Sequence, residues 1–467
     1  MIPCLVAAAL LAAGAAGSVP ASAQMFRDGD RVAFEGDSIT ARNVAYHEFV
    51  ADYYLTRFPD ADIRFTNAGS NGDGATGACR RFADDVAARR PTAVALMFGM
   101  NDVGRSSYGD GVTEELALSQ DRRLASYARN YAALLDEVRA QCGDVPVYLL
   151  TPSPFDENRR LSFVNKAIKN WPGVNAGLGR CAAIVRALAA ERGATLVDGY
   201  AALNAWMRET RLADDKSVFA SDRVHPGAAM NLMLAMAFLR AQNAERVVSD
   251  IAIQDGRVAL SIRAEVTDVA TNAAGGVAFT VLEKALPMPF GEEVAGVTNH
   301  PDVVAFNQEI LTIYGLAEGD WTLAIDGADV ATASAWEWEN GVNLAFNART
   351  PQWAQAQRVL AAHREAGARA YFVESEYPRI RRDVRKELEK RGLDPASPEA
   401  RAGYIAEMLP KVSYWKTNRD AWEGARDNWD RIDELIAEHD AVWPRIRALA
   451  KPAPHRYELK RKTEEKR

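Results

Sequence analysis

The chain has 467 residues, 48% hydrophobic and 25% charged, with a formal net charge of -7. This length fits two or three domains, and the balance is that of a folded protein with ample core. The acidic surplus gives no basic footprint for nucleic acid or an anionic membrane surface.

Residues 1–23 read as a secretory signal. Leu5 to Ala16 is almost wholly apolar, and Ala21-Ser22-Ala23 before Gln24 has the small-residue cleavage pattern, although the first residues lack Lys and Arg. A retained N-terminal helix is the alternative, and the apolar run falls short of the ~20 residues a bilayer span needs. The expectation is export to the periplasm or medium, without stable membrane insertion. Cys79, Cys142 and Cys181 remain after cleavage; they match no zinc spacing, and no essential disulfide is expected.

From residue 30 to about 243, strands and helices alternate. Strands are predicted at Arg31–Glu35, Asp62–Asn67, Thr92–Phe98, Pro146–Thr151 and Ala194–Val197. Helices are predicted at Ala41–Phe58, Gly77–Arg89, Leu124–Gln141, Gly179–Arg192, Tyr200–Arg208 and Ala228–Gln242. That order predicts an α/β domain with a parallel sheet covered on both faces. Residues 244–340 are β-rich, with turn signals at Gln254-Asp255-Gly256 and Ile325-Asp326-Gly327 and a less regular stretch from Leu286 to Ala305. Trp336-Glu337-Trp338 reads either as a strand with Trp inward or as a platform for sugar rings. Residues 341–467 are predicted helical over Gln352–Ala366, Pro378–Arg391, Glu399–Leu409 and Trp422–Ala450. Thr350-Pro351 and Tyr377-Pro378 suit helix starts, Pro444 should kink or split the last helix, and Lys460–Arg467 should fray. Tyr377, Ile380, Val384 and Leu388 form a core-facing stripe.

Four stretches fall at strand ends of the first domain: Gly36-Asp37-Ser38, Asn67 to Asp73, Gly99-Met100-Asn101-Asp102 and Asp222-Arg223-Val224-His225-Pro226. Open α/β sheets place their sites at that end. Ser38 supplies a hydroxyl, His225 a base, and Asp222 a carboxylate three residues before it. Asn101 offers an amide donor and Gly72 an unobstructed backbone N–H. Each piece has a plainer reading. Asp37 and Ser38 could cap a helix, Asn101-Asp102 could be a turn, and His225-Pro226 could start a helix capped by Asp222. The glycines from Gly69 to Gly77 could cradle phosphate, but the stretch lacks the P-loop ending. Glu35 stands in a strand where an apolar residue is expected.

Together the four blocks, in this order and spacing, resemble the SGNH hydrolases, or GDSL family, over roughly residues 30–243. The resemblance implies a flavodoxin-like three-layer domain at residues 24–243. It makes Ser38 the nucleophile, His225 the general base and acid, and Asp222 its partner. It makes the Ser38 and Gly72 N–H groups and the Asn101 side chain the oxyanion donors. It implies neither cofactor nor metal. Ile39 replaces the usual Leu after the serine. Exported members with extra modules are similar to bacterial carbohydrate acetylesterases, so an acylated carbohydrate is the expected substrate. A lipid-side esterase (lysophospholipase or thioesterase) and a non-catalytic glycan-binding protein remain as alternatives. The segments expected to border Ser38, Val103–Asp121 after the third strand and Thr151–Leu178 after the fourth, hold a polar set (Arg105 to Tyr108, Asp110, and Asp156 to Arg160) with no sustained apolar run to line an acyl tunnel.

Overall fold

The computed structural model describes residues 24–159, 171–273, 275–412 and 416–462. The expected signal segment and Arg160 lie outside them.

Five strands, β1 (Arg31–Gly36), β2 (Arg64–Gly69), β3 (Ala93–Met97), β4 (Val147–Leu150) and β5 (Thr195–Val197), form a parallel sheet in the order β2-β1-β3-β4-β5. This is the expected flavodoxin-like order, which reverses direction beside β1 and opens a crevice above the ends of β1 and β3. β3 is buried throughout because helices cover both faces of the sheet.

The helix expected over Ala41–Phe58 is two helices, Ser38–Ala41 and Tyr46–Arg57. Val44 takes the left-handed conformation at φ 59°, which ends the first turn, and its N–H donates to Glu48 Oε2 at 2.9 Å. The helix expected at Leu124–Gln141 runs from Glu114 to Cys142, capped by Thr113. Its added turns bury no side chain before Leu124, so apolar spacing could not reveal them.

The β-rich region forms two sheets. β6 (Val247–Gln254), β7 (Arg257–Ile262), β10 (Gln308–Ile313) and β13 (Val342–Asn343) run in the order β13-β10-β6-β7. β8 (Ala264–Thr271), β9 (Val277–Glu283), β11 (Asp320–Ile325), β12 (Ala328–Ser334) and β14 (His455–Arg461) run in the order β12-β11-β14-β9-β8. Both turn signals are two-residue hairpins with positive φ at each central residue, Asp255-Gly256 and Asp326-Gly327. Trp336 and Trp338 are on a short helix, Ala335–Asn340, set by a capping box between Ser334 and Glu337, and not on a strand. Trp338 is fully buried and donates through Nε1 to Trp321 O at 3.1 Å, whereas Trp336 is 70% exposed. The Leu286–Ala305 stretch holds a 3-10 turn at Glu292–Val297 and a helix at Pro301–Ala305.

In the C-terminal region the helix Pro351–Ala370, capped by Thr350, continues without a break into a π-helical turn, Tyr371–Glu376, and a helix, Tyr377–Lys390. Tyr377-Pro378 therefore does not start a helix. Pro378 cannot donate to the carbonyl four residues back, and the wider i→i+5 turn absorbs that loss. Ile380, Val384 and Leu388 bury against Ile405, Ala421 and Ala425, with Tyr377 packed alongside. The stretch Trp422–Ala450, expected to break at Pro444, is divided further, into Lys416–Asp427, a 3-10 turn, Ile432–Asp440 and Val442–Ala450. Pro444 sits in the first turn of the last piece, where its missing N–H costs nothing. Of the run expected to fray, Lys460 and Arg461 instead belong to β14 and pair with β11, and residues 463–467 lie outside the described residues. Among the described residues, no helix is long and apolar enough to cross a membrane.

Candidate active site

β1 ends at Gly36, where a Cβ would lie 2.2 Å from Thr40 Oγ1; only a residue without a side chain lets the chain turn so tightly into the next helix. Asp37 caps that helix by accepting from Ile39 N–H at 2.8 Å. Its carboxyl is buried, and burial pushes it up to about 7. The capping reading is thus realised at Asp37. Ser38 opens the helix, half-buried, with Oγ 2.8 Å from His225 Nε2.

His225 Nδ1 is 2.6 Å from Asp222 Oδ2, and the other carboxylate oxygen accepts from the N–H groups of Val224 (3.0 Å) and His225 (2.8 Å). Burial alone would raise the Asp222 carboxyl, but the bond from the His225 ring, its charge and the two backbone bonds outweigh burial and hold it well below the usual carboxylate range. Both oxygens can reach His225 because Arg223 between them is left-handed, φ 72°. Its guanidinium donates to Arg159 O at 2.7 and 2.5 Å, and its carbonyl accepts from Asp156 N–H at 2.9 Å.

Gly72 follows β2 with φ 77°. Among the described residues, neither its N–H nor that of Ser38 has a hydrogen-bond partner. Asn101 follows β3. Its Nδ2 donates to Asp73 O at 2.7 Å and its Oδ1 accepts from Arg105 Nη1 at 3.3 Å, so the amide is fixed with one N–H left over. Ser70 N–H donates to Gly36 O at 3.0 Å, which joins the β1 and β2 loops, and the Asn101–Asp73 bond joins those of β2 and β3. The structure thus links Ser38, His225 and Asp222 directly, and places Gly72 and Asn101 on loops bonded to each other.

Two features have no role assigned from the sequence. Glu35, fully buried, faces Arg81 Nη1 at 3.6 Å. Arg81 donates to Gly36 O (3.1 Å), Ala68 O (2.7 Å) and Asp73 Oδ2 (2.6 Å), pinning the ends of β1 and β2 and the Gly72 loop together. Burial, opposed by the Arg81 charge, pushes the Glu35 carboxyl up to about 8. Arg81 also pairs with Asp85 at 3.5 Å, an i,i+4 spacing that is the one signal of this cluster in the sequence. The second feature is Trp171, whose ring centroid lies 5.9 Å from the Arg105 guanidinium. A lone aromatic in a loop carries no signal of which loop it will meet. Part of the expected polar rim is internal: Ser107 and Asp156 are buried, and Asp156 pairs with Arg211 and accepts from Phe219 N–H.

Residues 34–231 match the GDSL-like lipase/acylhydrolase family. An acetylxylan esterase from Geobacillus stearothermophilus is 26% identical over 227 residues, which are 45% of this chain and 93% of that one. Among solved structures, a gut microbial diltiazem-metabolizing enzyme (BT4096) superposes with a TM-score of 0.82 at 24% identity, covering 94% of this chain and 99% of that one. It shares the fold across all three regions. The acetylxylan esterase Axe2 from Geobacillus stearothermophilus gives a TM-score of 0.37 at 25% identity, covering 47% of this chain and 96% of that one. Residues 34–231 are thus a GDSL-like lipase/acylhydrolase domain, and the enzyme is a hydrolase of the esterase kind.

Proposed function

We propose that Ser38 carries ester hydrolysis through an acyl-enzyme, and that the ester is an O-acetyl group on a carbohydrate. The observation that carries the mechanism is the continuous chain from Ser38 Oγ to His225 Nε2 at 2.8 Å and from His225 Nδ1 to Asp222 Oδ2 at 2.6 Å. As Oγ attacks the carbonyl carbon, His225 Nε2 takes its proton, and the ionised Asp222 stabilises the imidazolium. The oxyanion accepts from the Ser38 and Gly72 N–H groups and from Asn101 Nδ2. Collapse expels the alcohol, which takes the proton from His225; water then clears the acyl group by the same route.

The carbohydrate reading is supported by the similarity to an acetylxylan esterase, and by Trp171 beside Arg105, an aromatic face of the kind that stacks on sugar rings. Export is proposed from the signal-like residues 1–23, and N-terminal sequencing of secreted protein should begin at Gln24. The test of function is acetate release from acetylated xylooligosaccharides, together with rates on p-nitrophenyl esters of graded length. Acetate release and little rate beyond butyryl are expected. Faster turnover of octanoyl than acetyl esters, with no acetate from any glycan, would refute the carbohydrate assignment. Near-native activity in Ser38→Ala would refute the mechanism.

A further inference from the structure

The loop carrying Gly72 is held from outside the sheet domain. Asn67 N–H donates to Glu374 Oε2 at 3.0 Å, and Ser375 Oγ donates to Gly69 O at 3.2 Å. Asn71 Nδ2 donates to Tyr371 Oη at 2.9 Å and to Asn418 Oδ1 at 3.2 Å. Tyr371, Glu374 and Ser375 all come from the π-helical turn Tyr371–Glu376, and all three are buried. A π turn inserts an extra residue into a helix and occurs often at functional sites. Here it brings three polar side chains to β2 and the loop that follows.

The Gly72 N–H belongs to the peptide unit between Asn71 and Gly72. Within the loop, Ser70 N–H is fixed to Gly36 O, Asp73 N–H to Ser70 O, and Asp73 O to Asn101. Those bonds bracket the Asn71–Gly72 peptide without fixing its plane. The Asn71 side chain hydrogen-bonds to Tyr371 and Asn418. An oxyanion donor contributes to rate only if it is aimed before the charge develops, within about half an ångström.

We propose that Tyr371, Ser375 and Asn418 are positioning residues for the oxyanion site, acting through Asn71 and Gly69, so that the C-terminal helical region is part of the catalytic unit. The inference rests on the assignment of Gly72 as an oxyanion donor. It places no C-terminal side chain on the substrate.

The test uses the full chain with Tyr371→Phe, which removes only the hydroxyl, and with Ser375→Ala and Asn418→Ala as independent second and third variants. Each should lower kcat on p-nitrophenyl acetate roughly tenfold, with KM within about twofold and an unchanged melting temperature. Tyr371→Phe should have no further effect in an Asn71→Ala background, because both remove the same contact. Losses that simply multiply in the double variant, or that fall wholly on KM, would overturn the proposal. Labelling of Ser38 by a fluorophosphonate separates the two levels of the argument. A wild type labelled at Ser38, with Tyr371→Phe, Ser375→Ala and Asn418→Ala all retaining full kcat, overturns this inference alone. A wild type that turns over ester but is not labelled at Ser38 overturns the mechanism and this inference with it.

Discussion

Asn101 shows how a single side chain can be committed to one geometry before substrate arrives. Asp73 O takes one of its N–H groups and Arg105 holds its carbonyl, so the second N–H is offered without a rotamer search. In the oxyanion role proposed for it, that N–H would bond mainly in the transition state. Asn101→Ala should therefore lower kcat by about 10²–10³ with little change in KM, as steady-state kinetics on p-nitrophenyl acetate would show. A loss confined to KM would place Asn101 in ground-state binding. At Gly72 the difficulty is backbone, not space: a Cβ there would meet nothing within 4 Å, but φ is 77°. Gly72→Ala should cost about 1–2 kcal/mol in that conformation, or move the loop and lose rate. Full activity and full thermal stability in Gly72→Ala would exclude this loop as a donor. At this scale the sequence was most legible, since Ser38, Asp222, His225, Gly72 and Asn101 all sit in short local blocks. Trp171 beside Arg105, and the contacts of Arg81 with Gly36 and Glu35, were not legible, because these partners are distant in the chain.

At the scale of elements, the ends of β1 and β2 are joined through Arg81 and the buried Glu35. With its folded value about 8 against an ordinary 4.5, Glu35 holds a proton in the native state that the unfolded chain releases. Its contribution to stability is therefore full below the unfolded value and is lost as pH rises through the folded one. Glu35→Gln stays neutral throughout. It should flatten the fall in melting temperature between about pH 5 and about pH 8, and be the more stable protein at the alkaline end. Parallel melting curves for the two proteins across that range would show that Glu35 is ionised in the fold. Element positions were legible where one face is apolar or a cap is present, as at Thr350 and the two Asp-Gly hairpins. They were hidden where a helix runs over the surface, as at Glu114–Arg123, or where a proline is absorbed by a π turn.

In the whole molecule, the last strand closes the β region. β14 pairs with β9 on one side and β11 on the other, and it buries Tyr457 and Leu459 in the same core as Phe279 and Trp321. Removing residues 455–467 would leave two unpaired edges and a gap in that core. The truncated protein should lose cooperative unfolding of the β region, read as a broadened or split calorimetric transition. A single transition at the full-length temperature would mean that β14 contributes little.

Local chemistry decided what the sequence could decide. Short apolar strands alternating with helices can bury themselves only as a covered parallel sheet, and the four blocks at their ends share one face because parallel strands all end on the same side. The tertiary structure alone decided which distant groups hold that face in place. A buried polar atom must find a partner wherever the fold brings one, so Glu35 meets Arg81, and Asn71 meets Tyr371 and Asn418, 300 and 347 residues away. No spacing in the sequence encodes those meetings.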